Sequence, residues 1–135
     1  MIISARNWLT DLTASSVQAP GTATGYAIEN LWMGGPGRAW RSTTPSTNEP
    51  WIDFRLTANR PVNLIAVFGA KEAEWIEVRR DPNWPHGLLG SSTLVGTITP
   101  DERGDGALYL PVPEQEETWF LVFGLAGALP FSVGE

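Results

Sequence analysis

The sequence predicts an all-β protein, an antiparallel β-sandwich or a β-barrel. Eight or so short apolar segments follow one another at intervals of about ten residues, and turn-forming residues separate them. The 11 Pro and 14 Gly are scattered along the chain and leave room for only a short helical turn, over 27–32. A chain of 135 residues has the length of one domain, so we expect a single domain over 1–135.

The middle of the chain carries the clearest strand patterns. Residues 51–56 alternate between two sides of a strand, with Trp51, Asp53 and Arg55 against Ile52, Phe54 and Leu56. Residues 62–68 are almost continuously apolar, which predicts a central strand buried on both faces. Residues 75–80 place Ile76 and Val78 opposite charged residues, the pattern of a half-solvated strand.

The remaining strands and loops follow from the same signals. Clear strands are predicted over 93–98, 107–112 and 118–123, and weaker candidates lie at 2–12, 15–19 and 131–133. Pro111 indicates a sheet edge or a strand end, because Pro cannot donate to the ladder of hydrogen bonds. Three segments have the Gly, Pro, Ser, Thr and Asn content of loops, namely 34–37, 42–50 and 81–92.

Composition and charge exclude several classes of function. The chain has no Cys and one His, which excludes disulfides, thiol catalysis and Cys-ligated zinc. Nine basic and fifteen acidic residues give a net charge of -6, so nucleic acid is not an expected partner. The first residues lack the pattern of a signal peptide, and no apolar stretch is long enough to cross a membrane, so no membrane partner is expected.

No set of residues carries catalysis or predicts a metal or another cofactor. His86 lies in a loop beside Trp84, where it can act as a general base or simply face solvent. The acidic residues of 99–106 lack the spacing of a calcium loop and predict a hairpin turn. The acidic run 114–117 predicts a solvated face that protects a strand edge. We therefore expect a non-enzymatic protein.

An ordered set of motifs occupies residues 26–69. It reads Tyr26-Ala-Ile-Glu-Asn-Leu-Trp32, Arg38-Ala-Trp-Arg-Ser42, Glu49-Pro-Trp-Ile-Asp-Phe-Arg-Leu56 and Arg60-Pro-Val-Asn-Leu-Ile-Ala-Val-Phe-Gly69. This order resembles the galactose-binding-like, discoidin-type jelly roll. The resemblance implies an antiparallel β-sandwich whose loops at one end bind sugars, lipids or proteins. Two departures are the missing Asp-Leu-Gly turn after the third motif and the absent pair of terminal Cys residues.

The seven Trp residues supply the candidate contact residues. Four lie on predicted strands and are expected in the core or at its rim: Trp40, Trp51, Trp75 and Trp119. Trp32 and Trp84 stand beside Gly or Pro in loops, so we expect them to be exposed to a ligand or partner. The predicted binding residues are Trp32, Trp84, His86, Arg38 and Arg41.

Two functions are compatible with these features. Small stand-alone domains of this kind also resemble accessory proteins of tailed-phage virions. The first hypothesis is therefore a virion structural protein of the tail, tail tip or fibre, assembled in the host cytoplasm. It would act by contact with other virion proteins in a symmetric homo-oligomer. The alternative is a carbohydrate-binding module, in which Trp32, Trp84 and His86 contact a cell-surface glycan.

Overall fold

The structure, a computed structural model, describes residues 9, 12–19, 21–32, 39–43, 49–84, 92–127 and 130–134. Seven strands lie within these ranges: β1 Val17–Gln18, β2 Trp40–Arg41, β3 Trp51–Val67, β4 Ala73–Asp81, β5 Thr93–Ile98, β6 Gly106–Leu125 and β7 Ser132–Val133. The helical segments there are two short 3₁₀ helices, Ala14–Ser16 and Ile28–Leu31. No helix of the described ranges could cross a membrane. The predicted all-β class is confirmed.

Two long strands organise the sandwich. The strands form a five-stranded antiparallel sheet in the order β1-β3-β6-β4-β5, and β2 pairs with β7. The segments predicted as separate strands at 51–56 and 62–68 are one strand, β3. Those at 107–112 and 118–123 are likewise one strand, β6.

β3 and β6 form a two-stranded ribbon that contributes to both layers of the sandwich. Their register shifts between Arg55 and Arg60, where the ribbon bends. Past the bend, the side chain of Leu108 lies so close to Gly96 of β5 that a Cβ on Gly96 would collide with it. The first part of β6 therefore packs across the core from β5.

Pro111 lies in a bulge of β6. Tyr109 pairs with Leu64 and Glu114 with Val62, so four β6 residues, 110–113, lie opposite a single β3 residue. In the described part of the chain, this portion of β6 pairs with β3 alone. The predicted edge position is confirmed, and the bulge spares Pro111 from donating to the ladder.

The core lies between the layers and contains several large aromatic residues. Trp40 is completely buried, and its Nε1 donates a hydrogen bond to Thr22 Oγ1 at 3.0 Å. The Trp40 and Phe131 rings meet edge to face at 5.3 Å, and Phe131 also contacts Phe123. Trp119 is buried in the same cluster. The predicted core positions of Trp40 and Trp119 are confirmed.

The second half of β3 is not buried on both faces, as its apolar sequence predicted. Val67 is buried, whereas Leu64 is 41% exposed and Phe68, directly after the strand, is 63% exposed. The ribbon past the bend is an outer layer, so only alternate side chains face the core. The prediction for residues 62–68 is wrong because it assumed that a continuous apolar sequence means burial on both faces of the strand.

The acidic segment after β5 forms a turn, but not a hairpin. Asp101 Oδ1 accepts hydrogen bonds from the backbone N–H groups of Asp105 and Arg103, at 3.0 and 2.8 Å. Since β5 pairs with β4, the turn does not join paired strands, and the hairpin prediction is wrong. Within the described ranges, no group of three or more acidic or His side chains is placed to hold a metal.

Candidate functional site

Two Trp residues lie on the face of the five-stranded sheet that points away from the core. Ile52 of β3 and Ile76 of β4 face the core, so their neighbours Trp51 and Trp75 face the other way. Trp51 pairs with Val122 of β6. Trp75 pairs with Gly124, two residues further along β6. Two strand spacings of about 4.8 Å and two residues of rise at about 3.3 Å each place the backbones of Trp51 and Trp75 about 12 Å apart.

The two indoles differ in exposure and support. Trp51 is 45% exposed, while Trp75 is half-buried. Trp75 pairs with Gly124 of β6, and a Cβ on Gly124 would overlap the indole atoms Cε2 and Nε1 of Trp75. Because residue 124 is glycine, the Trp75 ring can pack directly against the backbone of β6.

A charged pair stands beside the indoles on the same face. Arg79 Nε donates a hydrogen bond to Glu77 Oε2 at 2.8 Å, and Arg79 Nη1 donates to Ser92 Oγ at 3.1 Å. These two bonds fix the planar guanidinium group. We define the indole surface as Trp51, Trp75, Glu77 and Arg79. A flat apolar ring beside fixed donors and acceptors suits a ligand that has one apolar face and a rim of hydroxyl groups.

The expected position in the core or at its rim is wrong for Trp51, which is 45% exposed, whereas Trp75 is half-buried beside the sheet and outside the core cluster. The signal for the outer face was present in the alternation. Trp51 shares its side of β3 with the exposed Arg55, and Trp75 shares its side of β4 with the Glu77–Arg79 pair. The polar neighbours indicate the outer face more reliably than the apolar character of the indole does.

Trp32 does not occupy an exposed loop. It follows the 3₁₀ helix Ile28–Leu31, is 8% exposed, and belongs to the core cluster. Asn30 Nδ2 donates to the carbonyl of Ala39 at 2.9 Å, which ties this helix to the start of β2. The expected exposure of Trp32 is wrong because its ring packs into the core cluster, whose other members come from distant segments of the chain. Among the described residues, its Nε1 has no hydrogen-bond partner.

No described contact brings the other predicted binding residues together. Trp84 is half-buried and follows a turn in which Asp81 Oδ1 accepts hydrogen bonds from the backbone N and Nδ2 of Asn83, at 2.9 and 3.0 Å. Arg41 is exposed on β2. Arg38 and His86 lie outside the described residues. Binding by Trp84, Arg38, Arg41 and His86 stays a prediction.

The acidic run 114–117 is engaged in ion pairs rather than only solvated. Arg80 Nε lies 3.2 Å from Glu114 Oε2, and its Nη1 lies 3.7 Å from Glu116 Oε2. Glu117 Oε2 lies 3.6 Å from Arg55 Nε. These pairs join β6 to its neighbouring strands beside the ribbon bend. Each is partly exposed and contributes about 1 kcal/mol or less.

The comparisons with known proteins agree with this fold. No family model and no curated protein matches the chain. Chitosan-binding module 1 of a chitosanase/glucanase from Paenibacillus sp. IK-5 aligns with a TM-score of 0.74 and 15% identity, covering 96% of this chain and 95% of that one. The family 32 carbohydrate-binding module of C. perfringens NanJ, in complex with galactose, has a TM-score of 0.68 and 16% identity, with 88% of each chain covered.

A third similar structure is the lectin domain of lectinolysin, complexed with Lewis B antigen. It has a TM-score of 0.67 and 10% identity, and the alignment covers 97% of this chain and 94% of that domain. These likenesses show the fold: an antiparallel β-sandwich of the galactose-binding-like type. The predicted resemblance to the discoidin-type jelly roll is confirmed at this level.

Proposed function

We propose that this protein is a carbohydrate-binding module that contacts its glycan through the indole surface. The observation that carries the proposal is Trp51, which is 45% exposed on a strand of the sheet rather than on a loop. A ring held by a strand loses little conformational freedom on binding. The fold adds support, because similar structures include a chitosan-binding module, a carbohydrate-binding module in complex with galactose and a lectin domain complexed with Lewis B antigen.

The chemistry of the surface fits a sugar ring. The Trp51 indole covers the apolar C–H face of the sugar, and the Glu77–Arg79 pair accepts from and donates to its hydroxyl groups. An aromatic side chain buries about 150–250 Å², so the exposed part of Trp51 offers roughly 100 Å². At about 25 cal/mol per Å², its coverage is worth about 2.5 kcal/mol before the costs of association.

A glycan array followed by calorimetric titration tests the proposal. The array contains amine-bearing, neutral and uronic-acid oligosaccharides. We expect saturable binding that Trp51→Ala weakens at least tenfold. Tyr109→Ala is the matched control, since Tyr109 is an exposed aromatic residue on the other layer. Absence of saturable binding, or full binding by Trp51→Ala, contradicts the proposal.

A second candidate is the structural role in a tailed-phage virion, through contact with other virion proteins. The feature that favours protein contact is an exposed apolar face on β3 and β6, which includes the paired residues Leu64 and Tyr109. Mass spectrometry of purified particles tests this candidate. Stoichiometric presence of the chain supports a virion role, and its absence from intact particles rejects it.

A further inference from the structure

The ribbon presents an apolar face to solvent past its bend. We define the ribbon face as Leu64, Ala66, Phe68, Ala107 and Tyr109, which are all exposed. Leu64 pairs with Tyr109 and Ala66 with Ala107, so each pair stands on one side of the ribbon. The alternate residues, such as Val67 and Leu108, pack toward the core.

The ribbon face has a ridge and a trough. Leu64 and the 59% exposed Tyr109 form a large pair, and the alanines 66 and 107 form a small pair beside it. Phe68 bounds the trough on its far side, because side chains two residues apart along a strand share one face. The ridge of one copy therefore fits the trough of a second copy related by a twofold axis. Such a surface is self-complementary, as an isologous interface requires.

The paired rows within this face contain no charged residue. Charged side chains begin at its two ends, with Arg60 and Glu114 near the bend and Lys71 after Phe68. Contact between two such faces buries no charge and has no desolvation penalty from ions. The chain has a net charge of -6, so a strongly basic partner would be attracted to its carboxylates. The ribbon face contains no carboxylate and therefore does not suit such a partner.

We propose that the ribbon face binds a second copy of this chain and forms a twofold dimer. Phe68 and Tyr109, each about three-fifths exposed, offer roughly 100 Å² apiece. With Leu64 and the alanines, two faces together bury roughly 700 to 800 Å², less than the roughly 1,200 to 2,000 Å² of a stable specific interface. The dimer is therefore weak and reversible.

The edge of β6 does not compete with this contact. Among the described residues, the part of β6 before the bend pairs with β3 only, so its other edge is open. Pro111 and Pro113 interrupt that edge, and the bulge distorts it, which discourages pairing with a strand of another copy. Association through the face alone closes at two copies instead of growing into fibres.

Sedimentation equilibrium over a range of protein concentrations tests the dimer, at about 0.05 M and about 0.5 M NaCl. We expect a monomer–dimer equilibrium that tightens at high salt, because screening reduces the repulsion between two acidic chains. Tyr109→Glu and Phe68→Glu each raise the dimer Kd at least tenfold. Leu94→Glu is the matched control, since Leu94 is 49% exposed on β5, outside the ribbon face, and keeps the wild-type Kd.

Two outcomes overturn the dimer. One is a monomer at every concentration in both salts. The other is a dimer whose Kd neither ribbon-face variant changes, which places the contact elsewhere. Circular dichroism verifies that the variants are folded, and Phe68 lies just beyond β3, so Phe68→Glu leaves the paired strands intact.

Discussion

The indole of Trp75 lies against the backbone of Gly124, so closely that the position admits no side chain. The two residues are partners in the β4–β6 ladder, on the same face of the sheet as Trp51. This relationship gives the indole surface its shape. A Cβ at position 124 would overlap the Trp75 indole, so this ring can lie across β6 because the residue there is glycine.

Gly124→Ala is therefore expected to displace the Trp75 ring. We expect a loss of about 1–3 kcal/mol in the free energy of unfolding, since the new methyl group overpacks a filled position. Urea denaturation measures it. In the Trp75→Ala background the same substitution should cost much less, and a double-mutant cycle gives the coupling. Gly127→Ala is the control, because a Cβ there meets nothing within 4 Å. Equal losses in both backgrounds would contradict the contact.

Trp32 and Trp119 are both buried, but they differ in hydrogen bonding. Trp119 Nε1 donates to the carbonyl of Glu116 at 2.9 Å, whereas Trp32 Nε1 has no partner among the described residues. Trp→Phe removes similar volume at both sites but breaks a hydrogen bond only at Trp119. Trp119→Phe should therefore destabilise the protein by about 1 kcal/mol more than Trp32→Phe, measured by thermal and urea unfolding. If Trp32→Phe loses more free energy of unfolding than Trp119→Phe, the indole N–H of Trp32 does have a hydrogen-bond partner.

Asp101 should make the stability of the protein depend on pH. Backbone N–H groups, that of Asp105 first and that of Arg103 next, lower the pKa of the Asp101 carboxyl from its ordinary value. A depressed pKa in the folded state gives stability that is present above the unfolded pKa of about 3.9 and is lost as pH falls through the folded value. Asp101→Asn should thus be less stable than wild type at neutral pH, and the difference should shrink on acidification.

Denaturation of both proteins at neutral and acidic pH measures this difference. The control is Glu102→Gln, which removes an exposed carboxyl in the same turn. A gap between Asp101→Asn and wild type that stays constant down to the lowest pH would show that the Asp101 carboxylate does not stabilise the turn through its charge.

Arg79 is expected to position Glu77 for the ligand. Lys has no fork of donors and cannot hold Glu77 and Ser92 together, as Arg79 does. Arg79→Lys should weaken glycan binding about three- to tenfold, while the unfolding free energy falls by about 1 kcal/mol or less. Arg55→Lys is the matched control, because Arg55 pairs with Glu117 away from the indole surface. If Arg79→Lys binds the glycan with unchanged affinity, the Glu77–Arg79 pair is not part of the binding site.

The sequence predicted most strands and the class of fold, since alternation and turn residues are local signals. It did not predict that 51–56 and 62–68 are one strand, because the bend between Arg55 and Arg60 depends on pairing with β6. Trp32 looked like a loop residue because its enclosure by β2 and the core involves distant segments. Trp51 was expected in the core or at its rim from its apolar character, although the charged Arg55 on the same side of the strand indicated the outer face.

The most direct test of the indole surface is a glycan titration followed by the indole N–H signals in a ¹H–¹⁵N NMR spectrum. Each of the seven Trp residues gives its own signal, which a Trp→Phe substitution assigns. We predict that the signals of Trp51 and Trp75 shift in a saturable way, while those of the buried Trp40 and Trp119 stay in place. A titration that shifts only the Trp84 signal, or none of the seven, would contradict a glycan site on the indole surface.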